Sequence, residues 1–273
     1  MPAKAGPVPN VVQGGHAGIW NDSIKRQLAS GFRRNDGHSL QRKRDGMMRS
    51  RGKLKGSPMI RTLGIAGSPV KEGNTETLLQ EALSVTGLDP EVQTEVRHLS
   101  GLSITGCWHC NWCIKNQTPE KFCVVSDGMD EVYPALARSD VIILATPVHI
   151  GRISGLMANM IDRMRVFVYG NVHRGKLKDK VGGALVVGFF RHGGLEVTLS
   201  NLNTAFALFD MISVGRGGLA LTSLEGKGKT IRGVRQMVMQ DAFGLSSARD
   251  VVQRAVEIAK IVRAGKEALR IIS

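Results

Sequence analysis

Four cysteines, Cys107, Cys110, Cys113 and Cys123, are the only ones in a chain of 273 residues. The first three form a C-x2-C-x2-C run in "CWHCNWC", and the fourth follows after a gap of nine residues. Such a run brings three thiolates of one tight loop toward a common centre. Cuboidal iron–sulfur clusters use this spacing, with a fourth cysteine elsewhere. Structural zinc sites more often pair two separated C-x2-C knuckles. The spacing therefore favours a [4Fe–4S] cluster over zinc, and it leaves open a third case in which the thiols hold no metal. Trp108 and Trp112 stand between the ligands, where they would shield a cluster from water and tune its potential.

Four cysteines are too few for a secreted disulfide scaffold of this size. No apolar core of signal-peptide type opens the chain. The most apolar stretch, "VIILATPVHI" at 141–150, is too short to span a bilayer and contains Pro147. These features predict a cytoplasmic protein in a reducing compartment, with no membrane as partner.

Charge divides the chain unevenly. Residues 1–58 hold 12 Lys/Arg against 3 Asp, a net of +9 out of the total of +14. This segment scatters Gly and Pro through a sequence with no sustained apolar period. It is expected to be a disordered basic extension, because it cannot bury enough surface to offset the entropy of ordering. Three readings of the extension compete: a patch for nucleic acid or anionic lipid, an organelle transit peptide, or a plain solvated tail. Nucleic acid is the weakest, since Trp20 and Phe32 are the only aromatics there.

From Met59 onward, strands and helices alternate. "MIRTLGIAG" is a short buried run, and "NTETLLQEALSVTG" sets Leu78, Leu79, Ala82 and Leu83 on one helical face. "VQTEVRHLS" alternates as a strand. "VIILATPV", "VGGALVVGFF" and "MISVG" supply three further strands, with helical spacings between them and a closing helix in "SARDVVQRAVEIAKIVRAG". The pattern predicts an α/β domain over 59–273. Its expected form is a doubly wound five-stranded parallel sheet of order 2-1-3-4-5, with helices on both faces and a cysteine insert at 100–127.

In such a sheet the ligand sits beyond the carboxyl ends of the first and third strands. The loop after the first is "GSPVKEGNTE", which opens a helix whose N-terminal amides form an anion site. Ser68, Asn74 and Thr75 add polar side chains there. An ordinary capped turn fits the loop equally well. The loop after the third strand is "TPVHIGRISG", where Val148, His149 and Ile150 are placed to face a flat ring. Another strand end, "FFRHGGLE", carries Arg191 and His192. "GRGGLA" at 215–220 imitates a dinucleotide fingerprint but opens no helix.

Taken in order, "GIAGSPVKEGNTETLL", the cysteine cluster followed by "SDGMDEVYPAL", "SDVIILATPVHIGRISGLMANMIDR" and "RHGGLEVTL" resemble the NADPH-dependent FMN reductase family of flavodoxin-like proteins. The four-cysteine insert resembles that of its iron–sulfur flavoproteins. The resemblance runs from about Met59 to Gly265. It implies that Ser68, Gly73, Asn74 and Thr75 hold the FMN phosphate. It also implies that Pro147, Val148, His149, Gly151 and Ser154 hold the isoalloxazine ring. The four cysteines would hold a [4Fe–4S] cluster near the flavin of a neighbouring subunit, in a homodimer or homotetramer. This chain has Val70 where the family often has Arg, and Lys71 is the expected compensation. It has His149 and Ile150 where an aromatic pair is common, and its last cysteine gap is longer than usual.

The expected function is an FMN-dependent, iron–sulfur electron-transfer oxidoreductase, fed by ferredoxin or NAD(P)H and passing electrons to a small acceptor. No side chain is marked as an acid or base; His149 and Arg191 are candidates for tuning the flavin or meeting substrate. Three alternatives remain: an NAD(P)H-dependent FMN or quinone reductase without a cluster, a flavodoxin-like carrier that only shuttles electrons, and a zinc-binding nucleic-acid protein using the basic tail.

Overall fold

A computed structural model describes residues 59–269, so the expected disordered extension at 1–58 lies outside the described residues. The first strand β1 (Ile60–Ala66) is followed by helix α1 (Asn74–Leu83), a 3-10 turn (Ser84–Leu88) and strand β2 (Val92–His98). A short helix α2 (Trp112–Lys115) lies inside the cysteine insert, and α3 (Met129–Arg138) leads into β3 (Val141–His149). A short strand β4 (Arg152–Ile153) precedes α4 (Gly155–Arg163) and α5 (Val166–Tyr169). Then come β5 (Val181–Gly188), α6 (Leu195–Leu208), β6 (Ile212–Ser213), β7 (Gly218–Leu221), a 3-10 turn (Met237–Gln240) and the long α7 (Ala242–Ala268).

The main strands run parallel in the order β2-β1-β3-β5-β6, which is the flavodoxin-like 2-1-3-4-5 order predicted. The count differs, with seven strands among the described residues in place of five. β4 folds back antiparallel on β3, pairing His149 with Arg152. The edge beyond β5 is broken in two: β6 lies within the expected fifth strand, "MISVG", and β7, beyond it, pairs with the next part of β5. The break falls at Gly217, whose φ of 63° turns the chain out of strand geometry. Half of the "GRGGLA" look-alike is therefore β7, a sheet strand.

Alternation along each central strand explains why the helices cover both faces. Val141, Ile143 and Ala145 of β3 pack with Leu78, Leu79 and Ala82 of α1 and with Val251, Val252 and Ala255 of α7. Ile142 and Leu144 face the other way, toward Val132 and Leu136 of α3, Met157 and Met160 of α4, and Leu202 and Phe206 of α6. The α4 methionines are thus core, as their spacing suggests. At the centre of the sheet the packing leaves no room for a side chain at two positions of β5. A Cβ on Gly182 would stand 2.7 Å from the Phe206 ring, and one on Gly183 equally close to Ile143. The closing helix starts five residues earlier than its apolar period indicates, because Asp241 caps it by accepting from the Gly244 amide at 2.9 Å. Among the described residues no helix is long and apolar enough to cross a membrane.

Candidate functional site

The carboxyl ends of β1 and β3 are tied into one structure. The Gly67 amide donates to the Ala145 carbonyl at 2.8 Å. Ser154 is fully buried at the N-cap of α4. Its hydroxyl donates to the Gly67 carbonyl and accepts from the Met157 amide, while its own amide donates to Thr146 Oγ1 at 3.1 Å. The expected ring contact Ser154 is thus placed as a strut that joins the first loop, β3 and α4. Gly67 packs tightly in that joint: a Cβ there would stand 2.7 Å from Met157 Cε and 3.0 Å from Met157 Cβ.

The first loop, 67–73, delivers the chain to the N-terminus of α1. The opening amides of a helix have no intrahelical partners and sit at its positive dipole end. Gly73 is the N-cap and is buried, as is Thr75. Ser68 is buried too, and its hydroxyl accepts from the Val70 amide at 3.1 Å. Lys71 and Val70 are exposed on the rim. Glu76 reaches back to accept from the Glu72 amide at 2.8 Å, holding the loop in shape before any ligand arrives. Asn74 faces another way: its Oδ1 accepts from the Val238 amide at 2.8 Å and its amide group donates to the Arg235 carbonyl.

That partner segment is a support of the first loop that sequence reasoning missed. Arg235 Nη2 donates to the Lys71 carbonyl at 2.7 Å, and Gln236 donates to the Glu72 carbonyl at 3.2 Å. Residues 235–238 thus clamp the anion loop from about 160 positions away. The basic stretch "GKGKTIRGVR" was the available sign, but nothing in it says which loop it meets.

The second loop is a tight hairpin. Ile150 and Gly151 are its two central residues, both at positive φ (49° and 75°), as a two-residue turn between strands requires. A β-branched residue pays strain in that region, and Ile150 is also fully exposed. Pro147 and Val148 are half-buried and His149 is exposed. The third loop meets the second backbone to backbone. Gly194 has φ 99°, and a Cβ there would stand 2.7 Å from the Gly151 Cα. The fold therefore joins the loops that carry His149 and Arg191. The Arg191 side chain itself turns aside, donating to the Glu225 carbonyl at 3.3 Å.

The cysteine insert lies beside α4. All four cysteines line one pocket, together with Trp108, Asn111, Val125, Arg163, Arg165 and Val166. His109 and Asn111, at φ 53° and 59°, turn the C-x2-C-x2-C run back on itself. The His109 amide points at the Cys107 sulfur at 3.4 Å. Burial pushes the Cys113 thiol upward, with neighbouring Cys123 and Cys107 adding to the effect against the opposing pull of Arg165. Among the described residues, no three His, Cys, Asp or Glu side chains close on a point suited to one metal ion. The two tryptophans differ: Trp108 lines the pocket but is 67% exposed, whereas Trp112 packs under Lys121 and is not in the lining.

The donor set fits both implied groups. Four thiols around one pocket, with two arginines in its wall, suit an anionic iron–sulfur centre. Buried glycines at the strand ends and an open helix N-terminus suit a phosphate-bearing flavin.

Comparison with known proteins agrees. The model of the NADPH-dependent FMN reductase family matches residues 60–225. An iron–sulfur flavoprotein of Methanocaldococcus jannaschii is 31% identical over 211 residues, covering 75% of this chain and all of that one. An iron–sulfur flavoprotein of Methanosarcina thermophila is 27% identical over 212 residues, covering 76% of this chain and all of its own. Among solved structures, RosB with a bound 8-demethyl-8-formylriboflavin-5'-phosphate superposes with a TM-score of 0.59 over 77% of this chain and 86% of its own. At 14% identity, that likeness concerns the fold.

Proposed function

This chain belongs to the NADPH-dependent FMN reductase family, within its iron–sulfur flavoprotein subgroup, and from that premise we propose that it exchanges electrons between a two-electron and a one-electron carrier. It is an FMN-dependent oxidoreductase by family. The finer reading is that FMN and a [4Fe–4S] cluster work together, fed by NAD(P)H or ferredoxin and delivering to a small acceptor. The single observation that carries it is the pocket into which all four cysteines face.

When bound, FMN supplies hydride-level chemistry and the cluster supplies single electrons. The chain's own residues bind and orient. The helix α1 amides, with Ser68 and Thr75 beside them and Lys71 on the rim, receive the phosphate dianion. Gly73 keeps the approach free of a side chain. Val148, His149 and Gly151 present a flat edge to the ring, and Pro147 fixes where that edge begins. Ser154 sets the spacing between phosphate loop and ring loop. Cys107, Cys110, Cys113 and Cys123 ligate as thiolates, and Arg163 and Arg165 offset their charge. The C-x2-C-x2-C spacing with one further cysteine, all lining one pocket, favours a cluster over zinc.

The same reading makes 59–273 the flavin-binding domain, with the insert at 100–127, and 1–58 a basic extension. It makes the protein a homodimer or homotetramer of the reducing cytoplasm, with no nucleic-acid partner.

The test is an absorption spectrum of protein purified without oxygen, with flavin, iron, sulfide and zinc assayed on the same sample. Flavin bands, a broad brown shoulder, and iron and sulfide in equal amounts are expected. Flavin with zinc or no metal would reduce the protein to a flavin reductase with a structural knuckle. No flavin after adding FMN would sink the whole reading. Mixing the loaded protein with NADPH, NADH or reduced ferredoxin then identifies the donor by which one bleaches the flavin.

A further inference from the structure

We propose that Arg163 is the positioning residue of the four-cysteine centre: it fixes how far Cys123 stands from the C-x2-C-x2-C run and sets a cation beside the thiolates. The inference rests on the cluster reading given above.

Arg163 closes α4 and is 1% exposed. An arginine so deep is rare unless its charge is compensated. Its partner Asp127 stands 2.7 Å away. Burial works against the Asp127 charge, yet hydrogen bonds from Arg163 and from the Met129 and Thr105 amides outweigh it and hold that carboxyl below its usual range. A buried ion pair is weak evidence for stability, since well-packed hydrocarbon often does as well. The geometry of this pair indicates a different purpose.

The guanidinium gathers both ends of the insert. Nη1 donates to the Thr105 carbonyl at 3.2 Å as well as to Asp127. Nη2 donates to the Val125 carbonyl at 3.1 Å, and Nε to the Tyr133 hydroxyl at 3.2 Å. Thr105 precedes the first cysteine by two residues, and Val125 follows the last by two. The whole cysteine segment is therefore a loop whose two feet rest on one planar fork. Lysine, a point donor on a flexible stem, lacks that fork. Asn159, one turn earlier on α4, adds a bond to the Ile104 carbonyl at 3.0 Å.

The same side chain forms part of the wall of the four-cysteine pocket. Tyr133 extends the arrangement. Its hydroxyl donates to the Arg163 carbonyl at 3.2 Å, and its ring stacks on Phe122, the residue before Cys123. Four thiolates in a half-enclosed pocket repel one another. A fixed cation in the wall lowers the cost of holding them, and more so when a further electron arrives.

The experiment uses full-length protein reconstituted without oxygen with FMN, iron and sulfide. Wild type is compared with Arg163→Lys, Arg163→Met and Asp127→Asn. Three readouts apply: flavin per chain, the rate at which a chelator strips iron, and the cluster's midpoint potential in a dye-mediated titration. Losing an outer partner of a metal site typically weakens it by about 10–100-fold. All three variants are therefore expected to keep flavin and to lose iron about tenfold faster. The midpoint potential should fall in Arg163→Met and stay near wild type in Arg163→Lys. Asp127→Asn leaves the arginine in place, so it reports even where the Arg163 variants misfold. Wild-type iron retention and potential in the variants would overturn the proposal, as would parallel loss of flavin and iron in Asp127→Asn. A wild type that binds no iron removes the cluster reading itself, and is recognised without any variant.

Discussion

The two ends of α4 hold two sites built in opposite ways. At its N-terminus, Ser154 ties together the loops after β1 and β3, whose working parts are backbone amides, glycines and a helix end. At its C-terminus, Arg163 gathers a segment whose working parts are side chains, four thiols and two guanidiniums. The first site is a property of the sheet's topology. The second is an excursion from it, held by a few directional bonds. A nine-residue helix between them is a rigid spacer of roughly 14 Å at ~1.5 Å per residue, so the two sites can be perturbed separately while their separation stays fixed.

The strongest way to break that comparison is Cys113→Ala. Cys113 is the buried member of the set and opens into the shared pocket. Bound iron is expected to fall to background while flavin per chain stays at the wild-type value. Iron and flavin assays on one preparation decide it. If flavin leaves with the iron, the two sites are one cooperative unit and the contrast fails.

The complementary test is Gly194→Ala. A Cβ at φ 99° is strained and would strike the Gly151 Cα. Backbone strain of this kind costs about 1–3 kcal/mol, and relief would come by parting the two loops. FMN affinity should fall about tenfold, since ~1.4 kcal/mol is a factor of ten, with iron loading unchanged. Titration of apoprotein with FMN, followed by flavin fluorescence, reads the effect.

This contrast also explains what the sequence made legible. The backbone-built site was legible as a place, because a buried run ending in "GSPVKEGNTE" marks a strand end that opens a helix, although a capped turn fits that loop equally well. The thiols of the insert were legible as well, because four cysteines confined to positions 107–123 are conspicuous. Their support was not. Arg163 reads as one more polar residue after "MANMID", and only tertiary placement turns it inward. Asn74 was read as a phosphate group's neighbour, and the fold turns its side chain toward Val238, 164 positions on. Long-range side-chain bonds leave no local period. Strand β7 escaped for a related reason: "GRGGLA" carries too few apolar residues to register as a strand, and it pairs because β5 offers an open edge.

A third test asks whether the core can be changed without touching either site. Lys180 lies just before β5, with its ammonium donating to the Ala137 and Ser139 carbonyls at the end of α3. Burial lowers its pKa from 10.5 to about 8. The sign follows from linkage. Between those two values the unfolded chain binds the proton and the folded chain releases it, so stability rises with pH across that window. Below pH 8 the folded chain carries the full cost of a buried charge. Lys180→Met removes the titration. Relative to that variant, wild type should gain about 1–3 kcal/mol between pH 8 and 10, read by urea unfolding at several pH values. Flavin and iron contents should not move. A flat difference between the two proteins would show that the ammonium is adequately solvated where it lies.

The finest distinction concerns the side chains that reach the first loop from a distant segment. Arg235 and Gln236 bind carbonyls of the anion loop, and Asn74 binds the clamp in return. These groups are exposed or partly so, and each such hydrogen bond contributes about 0.5–1.5 kcal/mol net. Arg235→Ala should therefore weaken FMN a few-fold, with Gly194→Ala well ahead of it. Two roles for Arg235 predict different salt behaviour. If it acts by shape, fixing the Lys71 carbonyl, the loss is the same at low and high salt. If its charge also serves the phosphate, standing in for the arginine that Val70 replaces, the loss shrinks as salt screens it. The double variant Val70→Arg with Arg235→Ala separates them further: recovered affinity would make charge the dominant part, and no recovery would make the clamp a matter of loop geometry. Either result places Arg235 on one side of the contrast, as backbone support or as a side-chain ligand.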